Sequence, residues 1–492
     1  MSTVLAASAQ LDFSLTQKLT VIVLAALTAL ISHMALAVFN DGTRPFMLEF
    51  IQGRATRAAT AAVAFGLSAG FIFGLGAPMA LSSGVLNPWL LFLPTDILGI
   101  LAFRKWLAVL LGGGWGALVV FGLNGANDVA HKLPVDFLTA MQQMSTPILF
   151  LFTLFPVIAV AKQFGRARGG ITAVVELAFV VMTMKLWPSV FAGSLAMAAG
   201  VLMLIGFAIR KDLLQRKADR AEAEAAAAAA APEPPGEGTG GTSGGGGSLL
   251  TRTDADGGTA TATADPAGAT ATAADVEAED PMASLFSASA SRLRRHLPLF
   301  MLLGAGVCMI AQMHIFGGGE ATSFLVAKGH ISEAAQVDFY RVFGFIPLIA
   351  TTALASGTYG IAGLTLVYPI GYLMPNPVLA AVVGAVVLAL EILGLSSIGK
   401  VLGRLPSVRD SSEHLRSAIT DTLQLAILFG SLLAANVMGG GLGILVVGGL
   451  YLINEAMGRP VVRMAAAPAA VIVGGILLNV LYWLDLFTPV KG

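Results

Sequence analysis

Asp96 is the residue of this chain whose type and setting most plainly invite chemistry. It stands in NPWLLFLPTDILGI, residues 87–100, directly after Pro94 and Thr95 in a run that is otherwise apolar. A carboxylate inside a hydrocarbon layer must face a cavity or a partner, and there it can ligate a cation or carry a proton. Asn87 and Thr95 would line the same place. The alternative is structural, because Pro-Thr-Asp is also a good helix start, and Arg104 follows two turns on. Pro94 removes a backbone donor, so the segment reads as a broken helix, tolerated only inside protein or beside a watery cavity.

A second interrupted stretch is YPIGYLMPNPVLAAVVG, residues 368–384, where Pro369, Gly371, Pro375 and Pro377 surround Asn376. Paired interruptions in two halves of a chain point to a transporter's binding site. Asn376 would offer its amide to a substrate there, or cap a turn at the membrane boundary. Glu391, about four turns after it, would share that cavity. Thr351 and Thr352, after Pro347 in FIPLIATTALASGTYG, suit an unwound substrate-lining segment; the Ala and Gly positions around them suit close helix packing. Two similar sequences, FNDGTRP at 39–45 and INEAMGRP at 453–460, each put Asn and an acid shortly before Arg-Pro. Asn40, Asp41 and Arg44 in the first, and Asn454, Glu455 and Arg459 in the second, form a gate latch or an anion site, or else capped helix ends. No Walker loop, HExxH, nucleophile elbow or metal-ligand cluster is present, and the single cysteine, Cys308, excludes an internal disulfide. The residue pattern therefore gives no support to an enzyme, and expects no metal or organic cofactor.

The elements that must position these residues are membrane helices. Hydrophobic residues make up 56% of the 492 positions and charged residues 12%, about half the share usual in soluble domains. Apolar runs near 20 residues recur, each long enough to cross a hydrocarbon core of about 30 Å. They fall at about 18–39, 58–77, 84–103, 106–123, 146–162, 169–185 and 189–209, then at about 297–316, 339–355, 358–373, 376–398, 417–437, 440–456 and 464–487. With an external N-terminus, Arg44, Arg54, Arg57, Arg104, Lys105, Lys162, Arg166, Arg168, Lys400, Arg404, Arg409, Arg416, Arg459 and Arg463 share one face. That face is cytoplasmic by the positive-inside rule. Equal numbers of basic and acidic residues, 29 each, leave no nucleic-acid footprint. Residues 210–295, rich in Ala, Gly, Thr and Pro, cannot bury enough apolar surface to order themselves. They read as a disordered cytoplasmic linker between a first membrane half, 1–209, and a second, 296–492, with some order returning near 281–291 as a short interfacial helix. An odd span count on each side inverts one half relative to the other.

Several stretches resemble the YhfT family of predicted bacterial inner-membrane transport proteins: AVFNDGTRPFMLEFIQG, GVLNPWLLFLPTDILGI, GFIPLIATTALASGTYGIAG, MPNPVLAAVVGAVV and GRPVVRMAAAPAAVIVGGILLNVLYWLDLF. The resemblance covers nearly the whole chain outside the linker and the extreme N-terminus, and implies transport of a small polar metabolite. A weaker likeness, resting on Pro375 and Asn376 before an apolar helix, is to the ascorbate/galactitol-type membrane subunits of sugar phosphotransferase systems. It implies a homodimeric elevator that would need separate phosphocarrier subunits. The combined expectation is an all-α polytopic membrane protein of about 12–14 spans in two inverted halves with broken or re-entrant helices, an elevator-type transporter. It would sit in the bacterial inner membrane as a homodimer and couple a small polar metabolite, an anion among the candidates, to Na+ or H+; a non-transporting scaffold or receptor is the rival class. The orientation is checked by thiol labelling in intact cells on a Cys308→Ala background. An impermeant reagent should label Lys132→Cys and spare Ser248→Cys; the reverse pattern would invert the topology.

Overall fold

A computed structural model describes residues 12–130, 132–230 and 281–489 of the chain. Residues 12–212 and 281–489 belong to one compact unit; the rest of the linker falls in a second, of which only a helical stretch through Ala230 is described. The expected disordered linker lies mostly outside the described residues. Its last part does not: Pro281–Arg295 is a helix of the compact unit.

The first half opens with α1 (Leu15–His33), started by a reciprocal capping box between Ser14 and Gln17. A two-residue strand β1 (Ala37–Val38) and a short helix α2 (Arg44–Ile51) follow. Helix α3 (Arg57–Phe71), capped by Thr56, runs through a π-helical turn at Ile72–Gly76 into α4 (Ala77–Ser83). The π turn immediately precedes Pro78, whose missing N–H and ring disturb the α-helical ladder. An interrupted segment comes next, α5 (Pro88–Leu91) and α6 (Leu93–Leu101), and then α7 (Lys105–Ala130). The half closes with the broken helix α8 (Phe137–Met141), α9 (Ser145–Phe152) and α10 (Phe155–Phe164), then α11 (Arg166–Leu186) and α12 (Gly193–Ala230).

The second half repeats this order. Helices α13 (Pro281–Arg295) and α14 (Leu297–Gln312) meet at His296, with a bend of 65° between 288–295 and 297–312. After them come the short α15 (Glu320–Ala327), the long α16 (Ile331–Ser356) and strand β2 (Tyr359–Gly360). An interrupted segment again follows, a 3-10 stretch at Ile361–Leu366 running into α17 (Val367–Leu373), and then α18 (Pro377–Arg404). Helix α19 (Pro406–Ala456) has non-helical backbone at Gly439 and Gly440. The chain folds back there, because a Cβ on Gly443 would collide with the carbonyl oxygen of Ala435. The last helix is α20 (Arg463–Trp483).

Local backbone details show that the two orders are equivalent. Ala35, two residues after α1, and His314, two residues after α14, both adopt left-handed conformations, φ 53° and 55°. Gly84 after α4 and Gly357 after α16 do the same, φ 73° and 67°. In each case the preceding serine accepts a bond from the backbone N–H two residues on: Ser83 from Val85 and Ser356 from Thr358, both at 3.2 Å. Thus α1 corresponds to α14, α3–α4 to α16, α5–α6 to the 3-10 stretch with α17, and α7 to α18. LFTLFPVIAVA (151–161) and RVFGFIPLIATTA (341–353), which look locally alike and would suggest a repeat between the halves, do not follow this correspondence. Those residues lie on α9–α10 and α16, which are not counterparts.

Among the described residues nine helices are long and apolar enough to cross a membrane, and the bent pair makes a tenth. Helix α16 is of crossing length as well, and α19 is two helices. The interrupted segment of the first half retraces α3–α4 from end to end. Asn87 bonds Gly76 O at its start, and Arg57 reaches the carbonyls of Ile100 and Ala102 at its finish. Gly76 and Arg57 are 19 helical residues apart, roughly 28 Å, so this segment crosses with a break in the middle. Among the described residues each half thus holds one interrupted segment between its long helices. Large apolar side chains stand exposed along α7 (Leu110, Leu118, Phe121) and α11 (Val174, Leu177, Val181), as lipid-facing surfaces require. The second break was expected within 368–384, around Asn376; the interruption lies upstream, at 357–366. Pro377 instead occupies the first position of α18, where a missing N–H costs nothing, and α18 runs unbroken past Gly384.

Without a hydrophobic drive between helices in lipid, close approach of backbones holds the bundle. Gly112 and Gly116 of α7 lie against Ala25 of α1, and Gly384 of α18 lies against Gly304 of α14. A leucine at 112 would drive into the Ala25 carbonyl, whereas nothing lies within 4 Å of a Cβ at Gly114. Gly112→Leu should therefore lose about 1–3 kcal/mol or more by overpacking, read as a fall in the unfolding midpoint of the purified protein. Gly114→Leu should stay within about 0.5 kcal/mol. Equal losses would contradict the α1–α7 contact.

Candidate functional site

A helix interrupted in the membrane interior leaves peptide groups that need partners. Here the two halves supply them to each other. β1 pairs in parallel with β2, with Tyr359 N–H donating to Leu36 O at 2.9 Å. At the equivalent place, Leu86 N–H donates to Ile315 O at 2.8 Å and Gly317 N–H donates to Leu86 O at 2.9 Å. Each half thus lends the strand after its first helix to the strand before the other's interrupted segment. Such exchanged, self-complementary contacts define a two-fold relation. Phe39, Phe92, Phe316 and Tyr368 run in a row between the crossings, with successive ring centroids 5.1, 5.5 and 5.5 Å apart.

At the first crossing Asp96 is fully buried and accepts from Ser32 Oγ at 2.7 Å, Phe39 N–H at 2.6 Å and Asn40 N–H at 2.9 Å. Its place follows from Pro94, which lacks the N–H that Leu90 O would accept; Trp115 Nε1 donates to that carbonyl instead, at 3.0 Å. Thr95 Oγ1 bonds Phe92 O at 2.6 Å, closing the turn. Asn87 caps α5 through Leu90 N–H, and its amide donates to Gly76 O in the π turn at 2.7 Å. The Asn40 amide donates to Ser68. Arg44, 5% exposed, lays its guanidinium against the backbone of Gly360, where Nη2 would meet a Cβ at 2.6 Å. Glu391, 5% exposed, reaches in from α18 to accept from Tyr359 Oη at 2.9 Å. Arg292 of α13 closes the outer edge of this crossing, donating to Gly357 O at 3.0 Å and to Met34 O and Ala35 O at 3.1 Å each.

The second crossing holds a polar cluster drawn from residues 317–341, between and just inside the apolar runs at about 297–316 and 339–355. Gly317, Gly318 and Gly319 follow the left-handed turn, and Glu320 begins α15, 2% exposed. Asp338 of α16 is fully buried between Arg341 Nη1, 3.0 Å from Oδ1, and Tyr372 Oη, 3.2 Å from Oδ2. Tyr372 Oη accepts from Gly318 N–H at 2.8 Å, and Arg341 Nη1 donates to Gly318 O at 3.4 Å. A side chain at Gly318 would meet Tyr368 and Asp338, and one at Gly319 would meet the guanidinium of Arg341. The glycines are therefore what allow the charged groups to close on the backbone. The available signal was the run GGGEATS after an apolar span, with Asp338 and Arg341 three residues apart on one helix face.

The structure sets Asn87 beside Leu86 at the second crossing and gathers Asn40, Arg44, Thr95, Asp96 and Glu391 around the first. It does not bring Asn376 there: that residue is exposed and caps α18 through Leu379 N–H at 2.9 Å. Glu391 consequently lies with Tyr359 and not with Asn376. Thr351 and Thr352 lie on α16, with side chains outside those described, as is that of Asp41. FNDGTRP and INEAMGRP part company. The first enters the crossing, whereas the second is a helix end where Asn454 clasps Val461 and Glu455 pairs with Arg459 and Arg463 at 2.8 and 2.9 Å.

Two halves crossed through interrupted segments, with apolar helices facing outward, define a polytopic α-helical membrane protein built around a buried polar centre. Within that class the chain belongs to the YhfT family: the family model, described as a protein of unknown function, matches residues 17–487. The chain is also similar to "Uncharacterized protein YhfT" of Escherichia coli (strain K12), 38% identical over 485 residues, 96% of this chain and 99% of that one. No solved structure matches, and the comparisons lend no support to the phosphotransferase likeness. The site geometry sets a contrast between two substitutions. Asp96→Ala strands one hydroxyl and two backbone donors, each costing about 1–3 kcal/mol, while Asn376→Ala loses one exposed cap worth about 1 kcal/mol. Denaturant unfolding of the purified variants should rank them in that order, and the reverse order would contradict the crossing.

Proposed function

We propose that this protein is a secondary transporter that carries a small polar metabolite across the bacterial inner membrane by alternating access. The observation that supports this most is the pair of interrupted segments crossing each other in the bundle interior. Each crossing carries an arginine and two buried carboxylates: Arg44, Asp96 and Glu391 at one, Arg341, Glu320 and Asp338 at the other. Charges are rare inside membrane proteins and mark substrate and ion pathways, and broken helices in matching positions of two halves are where transporters bind. Arginine at both crossings suits a substrate with anionic or strongly hydrogen-bonding groups. Movement of one half's interrupted segment against the other would expose the centre to alternate faces, in the manner of an elevator, with a homodimer as its scaffold.

The test is flux of labelled sugars, sugar acids, amino acids and carboxylates into proteoliposomes that contain only the purified protein. Uptake of at least one class without any phosphocarrier supports the proposal, and Asp96→Asn should abolish or uncouple that uptake at unchanged expression. Deleting residues 221–280 should leave it intact, whereas a linker-dependent scaffold would lose its function. Unchanged flux and ion dependence in Asp96→Asn would remove Asp96 from the mechanism.

A further inference from the structure

The charges at the second crossing do not balance. Arg341 is engaged by Asp338, whose other oxygen accepts from Tyr372. Glu320 is the remaining charge, 2% exposed, and among the described residues its Oε1 is buried without a hydrogen-bond partner. The hydroxyl of Tyr368, 1% exposed, is likewise buried without one, and its ring closes on Gly318 beside the oxygen of Asp338. The elements packed on α15 are α16, α9 and α4. α16 presents Asp338 and Arg341, while α9 (STPILFLF) and α4 (APMALSS) contain no charged residue. Tyr368 and Tyr372 of α17 complete the titratable groups around the cluster. Arg341, the cation nearest this carboxylate, already pairs with Asp338, so a charged Glu320 is costly to keep buried and taking up a proton removes that cost.

We infer that Glu320 is the site at which the coupling ion is carried, and that this ion is a proton. The identity follows from the number of free acceptors. A hard metal cation needs about six oxygens around it, but both oxygens of Asp338 and the carbonyl of Gly318 already face Tyr372 or Arg341. One open carboxylate oxygen suffices for a proton. Binding converts the Glu320 carboxylate to the neutral acid and brings the cluster to charge balance with the Asp338–Arg341 pair. Release to the opposite aqueous face restores the excess charge. The inference deepens the transport reading and rests on it for the word coupling, whereas the protonation itself is measurable without any substrate.

The experiment is pH-difference infrared spectroscopy on the full-length protein in proteoliposomes, which reads protonated carboxyl groups directly. Wild type should show a carboxylic-acid carbonyl band that grows as pH falls. The band should be lost in Glu320→Gln and kept, at a shifted frequency, in Glu320→Asp, which covers the case in which the Gln variant does not fold. Exchanging choline chloride for sodium chloride should leave the band unchanged. A band identical to wild type in the folded variants would overturn the assignment to Glu320. Removal of the band by sodium would overturn the proton and make the site a sodium site. An intact Glu320 band in a protein that moves none of the labelled metabolites would count against transport alone.

Discussion

In a hydrocarbon layer a peptide group has no water to turn to, and each unpaired one costs several kcal/mol. Two interrupted helices can persist at the centre of such a bundle only if their loose backbone groups are satisfied by protein. The reciprocal pairing of Leu36 with Tyr359 and of Leu86 with Ile315 and Gly317 does this, and much else follows from it. The left-handed turns at Ala35 and His314 swing each strand out of its helix axis toward the other half, at the cost of backbone strain of order 1–3 kcal/mol each. Gly99 packs on Ala29 of α1 and Gly371 on Cys308 of α14, so that each interrupted segment can approach the first long helix of its own half. The carboxylates arrive because the same donors that need acceptors, the N–H groups of Phe39 and Asn40, are aimed at the crossing.

The two crossings solve one geometric problem with different chemistry. At the first, the acceptor for the strand's N–H groups is a carboxylate, Asp96; at the second, the equivalent N–H of Gly318 goes to the hydroxyl of Tyr372. Glycines at 317–319 stand where the first half has Val38, Phe39 and Asn40. They leave room for Arg341 to lie on the backbone, a space that a side chain would close. The centre is therefore symmetric in backbone and asymmetric in charge placement.

Much of the architecture was legible in the sequence, and the reasons are physical. Apolar length marked the long helices, and Pro94 with Asp96 two residues later marked the first interruption. The turn at Gly439–Gly440 was readable as the gap between two runs. The second interruption was misplaced because prolines 375 and 377 are stronger local breakers than the Ser-Gly pair at 356–357 that does the work; prolines at a helix start break nothing. Homology between the halves was hard to see because it survives in fragments as short as Met-Ala-Leu against Met-His-Ile and Ser-Gly-Val-Leu against Ser-Gly-Thr-Tyr. Glu320, Asp338 and Arg341 were missed because charge near a glycine run reads as loop. Only the tertiary fold, which turns that run inward, makes them a site.

Arg292 gives the two-fold arrangement a direction. In a machine of two inverted halves, exchanging the conformations of the halves converts an inward-open state into an outward-open one. A fully symmetric chain would hold both at equal energy. The three carbonyls gathered by Arg292 belong to the first crossing, one from β2's approach and two from β1's. Bonds to a charged donor are worth about 1.5–3 kcal/mol each, and about 1.4 kcal/mol is already a tenfold shift in population. Under the transport reading, the tail of the segment joining the halves is thus the spring that sets which side the empty carrier faces at rest.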